Sequence, residues 1–296
     1  MLVDQASVLR SKVRQQTAQT TSNRWSRTEV APVEIKSPRT ILVSSGKGGA
    51  GKSSVALNLG LSLAETGKRV MLVDASAGLS HLDLLCGLNA YWNLEHVITG
   101  SRFLNDVLLN VMENVDLITG LSSAIETGLR VPAQKAKLTS QLDRIASNVD
   151  YVVIDSSCGL CSLNRQLINA VDLAYIVTTL ETTALADSYS MLKSLAGQQL
   201  ETRIELIVNR SDASTAQAAY ANLKQTMTMF LHQDMPLAGS IPEDVHVQKA
   251  VMSRYPLVIS HPESPAAQAI KQLTRRAISS MGRQRDQGPF FRRLMS

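Results

Sequence analysis

The stretch Thr40-Ile41-Leu42-Val43-Ser44-Ser45-Gly46-Lys47-Gly48-Gly49-Ala50-Gly51-Lys52-Ser53-Ser54-Val55-Ala56-Leu57-Asn58-Leu59 decides the fold. An apolar strand, Thr40 to Val43, runs into Gly46–Ser53, which has the spacing G-x-x-x-x-G-K-[ST], and a helix-like run follows. Glycines let the backbone curl so that successive N–H groups point inward, and the helix N-terminus adds a favourable dipole. Such a cradle suits clustered phosphate charge. Lys52 is placed to reach the β/γ-phosphates and Ser53 to bind Mg²⁺, with Gly46, Lys47, Gly48, Gly49, Ala50, Gly51 and Ser54 lining the loop. The expected ligand is a nucleoside triphosphate with its magnesium ion.

Outward from this motif, short apolar strands alternate with helical segments. Strands are predicted at 40–44, 70–74, 115–119, 151–155, 173–178, 204–209 and 236–241. Helices are predicted at 53–66, 135–147, 163–170, 184–199 and 214–232. Strands that read as continuous apolar runs between helices imply an α/β fold, a doubly wound and mostly parallel sheet with helices on both faces. Ligands in such sheets bind beyond the C-terminal strand ends, where this loop and the motifs below all fall.

The first lysine of the loop narrows the choice. Lys47-Gly48-Gly49-Ala50-Gly51-Lys52-Ser53 resembles the deviant Walker A motif of the MinD/ParA ATPases. In that family this lysine crosses a dimer interface to touch the partner's nucleotide, so Lys47 would make ATP binding and homodimerisation one event. Tyr151-Val152-Val153-Ile154-Asp155 resembles the family's Walker B strand, with Asp155 near Mg²⁺, and Ser156-Ser157-Cys158-Gly159 resembles its switch II, where Gly159 would meet the γ-phosphate. Asp74, Gly78 and Asp83 match the switch I pattern D-x-D-x-G-x-x-N-x-D, and Asp74 is a further candidate for the Mg²⁺ shell. Two positions depart from it. Ser76 stands where the family has the aspartate that orients the attacking water, and His81 stands where Asn is usual. Serine accepts a hydrogen bond from water but offers no carboxylate base, so binding should survive and hydrolysis should be slow. Val208-Asn209-Arg210 and Ile241-Pro242-Glu243-Asp244 resemble the segments flanking adenine, and Glu181 lies where relatives contact the opposite nucleotide. Asn209, Arg210, Pro242 and Glu243 also read as ordinary turn and cap residues.

Composition bounds the rest. No apolar run approaches the ~20 residues of a membrane span, and Asp4 and Gln5 stand where a secretion signal is apolar, so a cytoplasmic protein is expected. Basic charge is concentrated at the ends. Residues 1–39 hold seven Lys/Arg against three Asp/Glu, and residues 271–296 hold seven against one, which suits anionic partners or merely solubility. Phe290-Phe291-Arg292-Arg293-Leu294 combines aromatics with arginines, as an interfacial anchor on the inner face of the cell membrane does, although packing onto the protein itself is the alternative. Three cysteines make no disulfide framework, and Cys158 and Cys161 are read as small buried residues of switch II ahead of a metal pair.

The organisation is thus a helix at 1–14 with an apolar stripe, a linker at 15–38, the ATPase domain at 39–278 and a basic tail at 279–296. Within the first helix, Asp4-Gln5-Ala6-Ser7-Val8-Leu9-Arg10 matches D-Q-A-x-x-L-R, which resembles the N-terminal motif of the FlhG group of MinD-like flagellar regulators. In that group the motif stimulates FlhF, a GTPase related to those of the signal-recognition particle. Gln5 would approach the partner's nucleotide, with Ala6 and Leu9 packing beside it and Asp4 and Arg10 completing the motif. The resemblance implies a dimerising ATP switch for flagellar number or placement. Two alternatives are a positioning ATPase for another cargo, possibly on DNA, and an ATP-bound scaffold that does not hydrolyse.

Overall fold

A computed structural model describes residues 37–77, 81–128, 132–195, 200–231, 235–281 and 288–295. The motif helix expected at 1–14, nearly all of the linker and Gly78 of switch I lie outside the described residues.

In chain order the elements are β1 (Arg39–Ser45), α1 (Lys52–Glu65), β2 (Val70–Ala75), α2 (Leu82–Leu85), α3 (Leu94–Ile98), α4 (Leu104–Val107), β3 (Leu109–Met112), β4 (Val115–Ile118), α5 (Leu121–Gly128), α6 (Pro132–Ala146), β5 (Tyr151–Cys158), α7 (Ser162–Ala170), β6 (Leu173–Thr178), α8 (Thr182–Lys193), β7 (Arg203–Asn209), α9 (Ala213–Leu231), β8 (Leu237–Ile241), α10 (Val245–Ser253), α11 (Leu257–Ser260), α12 (Pro265–Ser280) and α13 (Phe290–Met295). Eight strands form one sheet in the order β3-β4-β2-β5-β1-β6-β7-β8. Every neighbouring pair is parallel except β3 and β4.

The sheet is buried on both faces because alternate side chains of each strand feed opposite cores. Ile41, Val43, Leu72 and Val153 join the core beneath α1 and α12, whereas Leu42, Val73, Val152 and Ile154 join the one beneath α6, α7 and α9. β1 is the pivot, lying between β5 and β6. Its register sets Val43 beside Asp155 on one side and Ser44 beside Ile176 on the other. Asp74 on β2 pairs with Asp155 on β5. The loops after β1, β2, β5, β6 and β7 therefore converge on one edge, at the C-terminal strand ends.

The tail departs from expectation. Phe290, Phe291, Leu294 and Met295 are buried in the core beneath α6 and α7, so they are not free to enter a lipid interface in this conformation. The two phenylalanines stack edge-to-face at 4.9 Å, Phe291 N–H donates to Asp143 Oδ1 at 2.9 Å, and Arg293 Nη2 donates to Ala170 O at 2.9 Å. Of the cationic pair only Arg292 is exposed. The segment expected to be a membrane tail closes the domain instead, and no described helix is long and apolar enough to cross a membrane.

Candidate functional site

The loop between β1 and α1 has the shape its glycines require. Gly46 lies against α8 so closely that a Cβ there would sit 2.5 Å from the backbone of Asp187 and Ser188. Gly51 caps α1 with φ +89°, a left-handed conformation open to glycine, and a Cβ would meet Asn209 Nδ2 at 2.3 Å. Lys52 and Ser53 open the helix, with their backbone N–H groups at its positive end. Ser45 Oγ donates to Lys47 O at 2.8 Å, and Gly159 N–H donates to Ser45 O at 2.7 Å, so switch II is tied to the loop's entry.

Asp155 is fully buried beneath this loop, and neither of its carboxylate oxygens has a hydrogen-bond partner among the described residues. Burial pushes its pKa up to about 7, while the Lys52 charge and the nearby Ser53 hydroxyl pull it down and Asp74 pushes it further up. A carboxylate with both oxygens unsatisfied beside a lysine and a serine fits a hydrated Mg²⁺ site. Asp74 is used differently. It accepts from Ser76 N–H at 2.9 Å, His81 N–H at 3.0 Å and Leu82 N–H at 3.3 Å, so it holds switch I in place while Asp155 keeps the unpartnered oxygens.

Ser76 donates its hydroxyl proton to Asp74 Oδ1. The next residue, Ala77, donates its N–H to Ser157 Oγ at 2.7 Å, joining switch I to switch II. Lys47 points away from its own loop. Its ammonium lies 2.6 Å from Glu181 Oε2 and 2.9 Å from Thr183 Oγ1, and the hydrogen bond and charge of Lys47 hold the Glu181 carboxyl below its usual range.

On the other flank, Asn209 Nδ2 donates to Ala50 O at 2.8 Å, and Arg210, at φ +56°, directs Nη2 to Gly49 O at 3.4 Å. Both expected adenine-side residues close on the phosphate loop. Pro242 and Glu243 lie just beyond β8, with Glu243 exposed. Gly159, at φ +74°, stands over the loop entry.

A family model described as "AAA domain" matches residues 38–208, more than half of the chain. The chain is 32% identical to the antiactivator FleN of Pseudomonas aeruginosa over 84% of this chain and 87% of that protein. The chain belongs to the MinD/ParA family of P-loop ATPases. It is also 28% identical to the flagellum site-determining protein YlxH of Helicobacter pylori, over 81% of this chain and 82% of that one. Among solved structures, the septum site-determining protein MinD of Pyrococcus horikoshii, complexed with Mg-ADP, superposes with TM-score 0.64 at 26% identity, covering 83% of this chain and 98% of that one.

Two further residues beside the site were not legible in the sequence. Asn164, on the first turn of α7, is fully buried, and its Nδ2 donates to both Ser157 O and Gly159 O, holding the switch II backbone. No motif marks it; an asparagine just past a Walker B strand is the one available hint. Thr183 joins Glu181 on Lys47 only because β6 and β1 are neighbours. Cys158 and Cys161, expected to be buried, are both exposed, because β5 continues past Asp155 and carries Cys158 to the surface. Among the described residues no group of His, Cys, Asp and Glu could hold a metal ion by itself. The residues expected to touch an FlhF-like partner, Asp4, Gln5, Ala6, Leu9 and Arg10, lie outside the described part.

Proposed function

We propose that this MinD/ParA protein is an ATP-dependent dimerising switch of the FlhG type, with weak hydrolysis, acting on flagellar number or placement. Its relative YlxH, a flagellum site-determining protein matched across more than four-fifths of its length, supports the flagellar setting. The hydrogen bond from Ser76 to Asp74 supports weak turnover, because a hydroxyl committed to Asp74 leaves only acceptor capacity for a water. Ser53 and Asp155 would hold the magnesium ion that accompanies ATP, and the ion would offset the phosphate charge.

The chain's own groups then divide the work. Backbone N–H groups of Gly48 to Ser53 cradle the phosphates, and Lys52 meets their terminal charge. Ser53 and Asp155 offer oxygens to the cation. Gly159 senses the γ-phosphate by turning its N–H from Ser45 O. Lys47 leaves Glu181 to reach the partner's nucleotide, which couples ATP to dimerisation. Asn209 and Arg210 release the phosphate loop and become available to the base. The segment Asp4–Arg10 then stimulates an FlhF-like GTPase.

Two experiments test this reading. ATP should convert the purified chain from monomer to dimer in light scattering, and a peptide of residues 1–16 should raise GTP turnover by a co-occurring FlhF. A peptide without effect would remove the flagellar GTPase from the account, and an ATP-insensitive monomer would remove the switch. A non-hydrolysing ATP scaffold is the second reading, favoured by the same Ser76 observation, and it predicts dimers that persist until nucleotide is exchanged.

A further inference from the structure

Two of the chain's three cysteines flank Gly159 of switch II and have no part in the chemistry above. Cys158 ends β5 in register with Ser45, and its Sγ lies 3.9 Å from where a Cβ on Gly48 would be. Cys161 caps α7, its Sγ accepting the Asn164 N–H at 3.4 Å. Both are exposed. The chain bends between them at Gly159, whose positive φ of 74° turns the two cysteines about a single short loop. Asn164 fixes that loop from below through Ser157 O and Gly159 O, and Ser45 O fixes it from the side. The third cysteine, Cys86, is shielded, and burial, assisted by Asp83, pushes its thiol up to about 12, so it is unreactive by comparison.

We propose that Cys158 and Cys161 are a reversible redox pair whose intramolecular disulfide locks switch II against the phosphate loop. The oxidant is a small-molecule disulfide of the glutathione class. One cysteine thiolate attacks a sulfur of that disulfide and expels one small thiolate, leaving a mixed disulfide. The second cysteine thiolate attacks the protein sulfur and expels the second small thiolate. The two cysteines together lose two electrons, the small disulfide gains them, and the two cysteine protons end on the two thiols released. The two cysteines keep the C-x-x-C spacing of dithiol redox pairs, with the bend at Gly159 between them and both residues exposed.

The consequence rests on the nucleotide-switch reading given above. Gly159 must turn its N–H from Ser45 O to sense a γ-phosphate. A disulfide bracketing Gly159 holds the bend and removes that freedom. ADP, which lacks the γ-phosphate, is indifferent to the lock, whereas ATP is not. Thiol oxidation would thereby keep the chain from its ATP-bound state without touching the loop's own residues.

The test uses the full chain. A chromogenic aromatic disulfide should report two fast thiols in the folded, reduced protein and a slow third. After equilibration with oxidised glutathione, peptide mass spectrometry should find a 158–161 linkage, two hydrogens lighter, and Cys158→Ser or Cys161→Ser should instead retain glutathione as a mixed disulfide. The oxidised chain should bind a non-hydrolysable ATP analogue about tenfold more weakly, with ADP affinity within about twofold, and a dithiol reductant should restore both. The Cys158→Ser/Cys161→Ser double variant should be indifferent to the oxidant. Absence of the linkage, or an equal effect on both nucleotides, overturns the proposal. Failure of the reduced chain to bind any nucleotide would refute the proposed function instead, and the linkage alone would then decide the redox pair.

Discussion

The Lys47 ammonium lies 2.6 Å from the Glu181 carboxylate, across the 134 residues that separate them in the chain, and not over its own phosphate loop. The residue that marks this family is therefore parked within its own subunit, on the start of α8, until something draws it away. Exposed pairs of this kind hold only loosely, so the contact positions Lys47 without trapping it.

From this follows a separation of two functions. Lys47→Ala should bind an ATP analogue with nearly the parent's affinity yet remain monomeric in light scattering, because Lys52 and the loop backbone hold the nucleotide in cis. Glu181→Ala should leave the melting temperature at the parent's value, the pair being exposed at both ends. A Lys47→Ala chain that dimerises normally with ATP would show that the lysine has no role across the interface.

Asp155 makes a pH prediction whose sign follows from its environment. Its folded-state pKa is raised from 3.8 to about 7, chiefly by burial, so the nucleotide-free folded chain holds a proton that the unfolded chain releases. The associated stability is complete below the unfolded value and is lost as pH rises through about 7. The melting temperature without nucleotide should thus fall between about pH 4 and about pH 7 and level off above, and Asp155→Asn should flatten that slope. Magnesium-dependent nucleotide binding should strengthen over the same interval, since the cation replaces the proton. A parent slope identical to that of Asp155→Asn would refute the assignment.

Phe291 tests the reassigned tail. It is fully buried, and its N–H is held by Asp143, whose own carboxyl is raised by burial more than those bonds and the nearby arginines lower it. Phe291→Ala should cost about 3–5 kcal/mol in urea unfolding, as truncation of a buried aromatic does. A cost near zero would mean that α13 does not belong to the core and would return the tail to a free surface role.

Asn164 should matter to nucleotide response and, as a fully buried donor to two carbonyls, to stability as well. Asn164→Ala leaves the carbonyls of Ser157 and Gly159 without the donor that shapes switch II, and it should weaken a non-hydrolysable ATP analogue about tenfold, as the loss of a buried donor does. Equal affinities of parent and variant would deny Asn164 its positioning role.

What was legible in the sequence was what local chemistry repeats. Leu173–Thr178 was bounded as found, and the P-loop stood where its strand and helix placed it, because buried parallel strands read as unbroken apolar runs. The apolar run ends at Asp155, but β5 pairs with β1 as far as Cys158 and leaves that residue exposed. β3, a four-residue antiparallel edge with little burial, left no pattern to find. The tail was misread for a different reason. Two phenylalanines and two arginines serve a lipid boundary or a core helix equally well, and the partners that decide, Asp143 and Ala170, lie 148 and 123 residues away. The Lys47–Glu181 contact was likewise invisible until β6 took its place beside β1.

Ser76, standing where the family has an aspartate, should leave this nucleotide switch with little turnover. Phosphate release from ATP by the parent and by Ser76→Asp measures it most directly. Both should bind ATP tightly, with slow release by the parent and release at least about tenfold faster once a carboxylate stands where the attacking water is oriented. Fast turnover by the parent, or no gain from the aspartate, would contradict it.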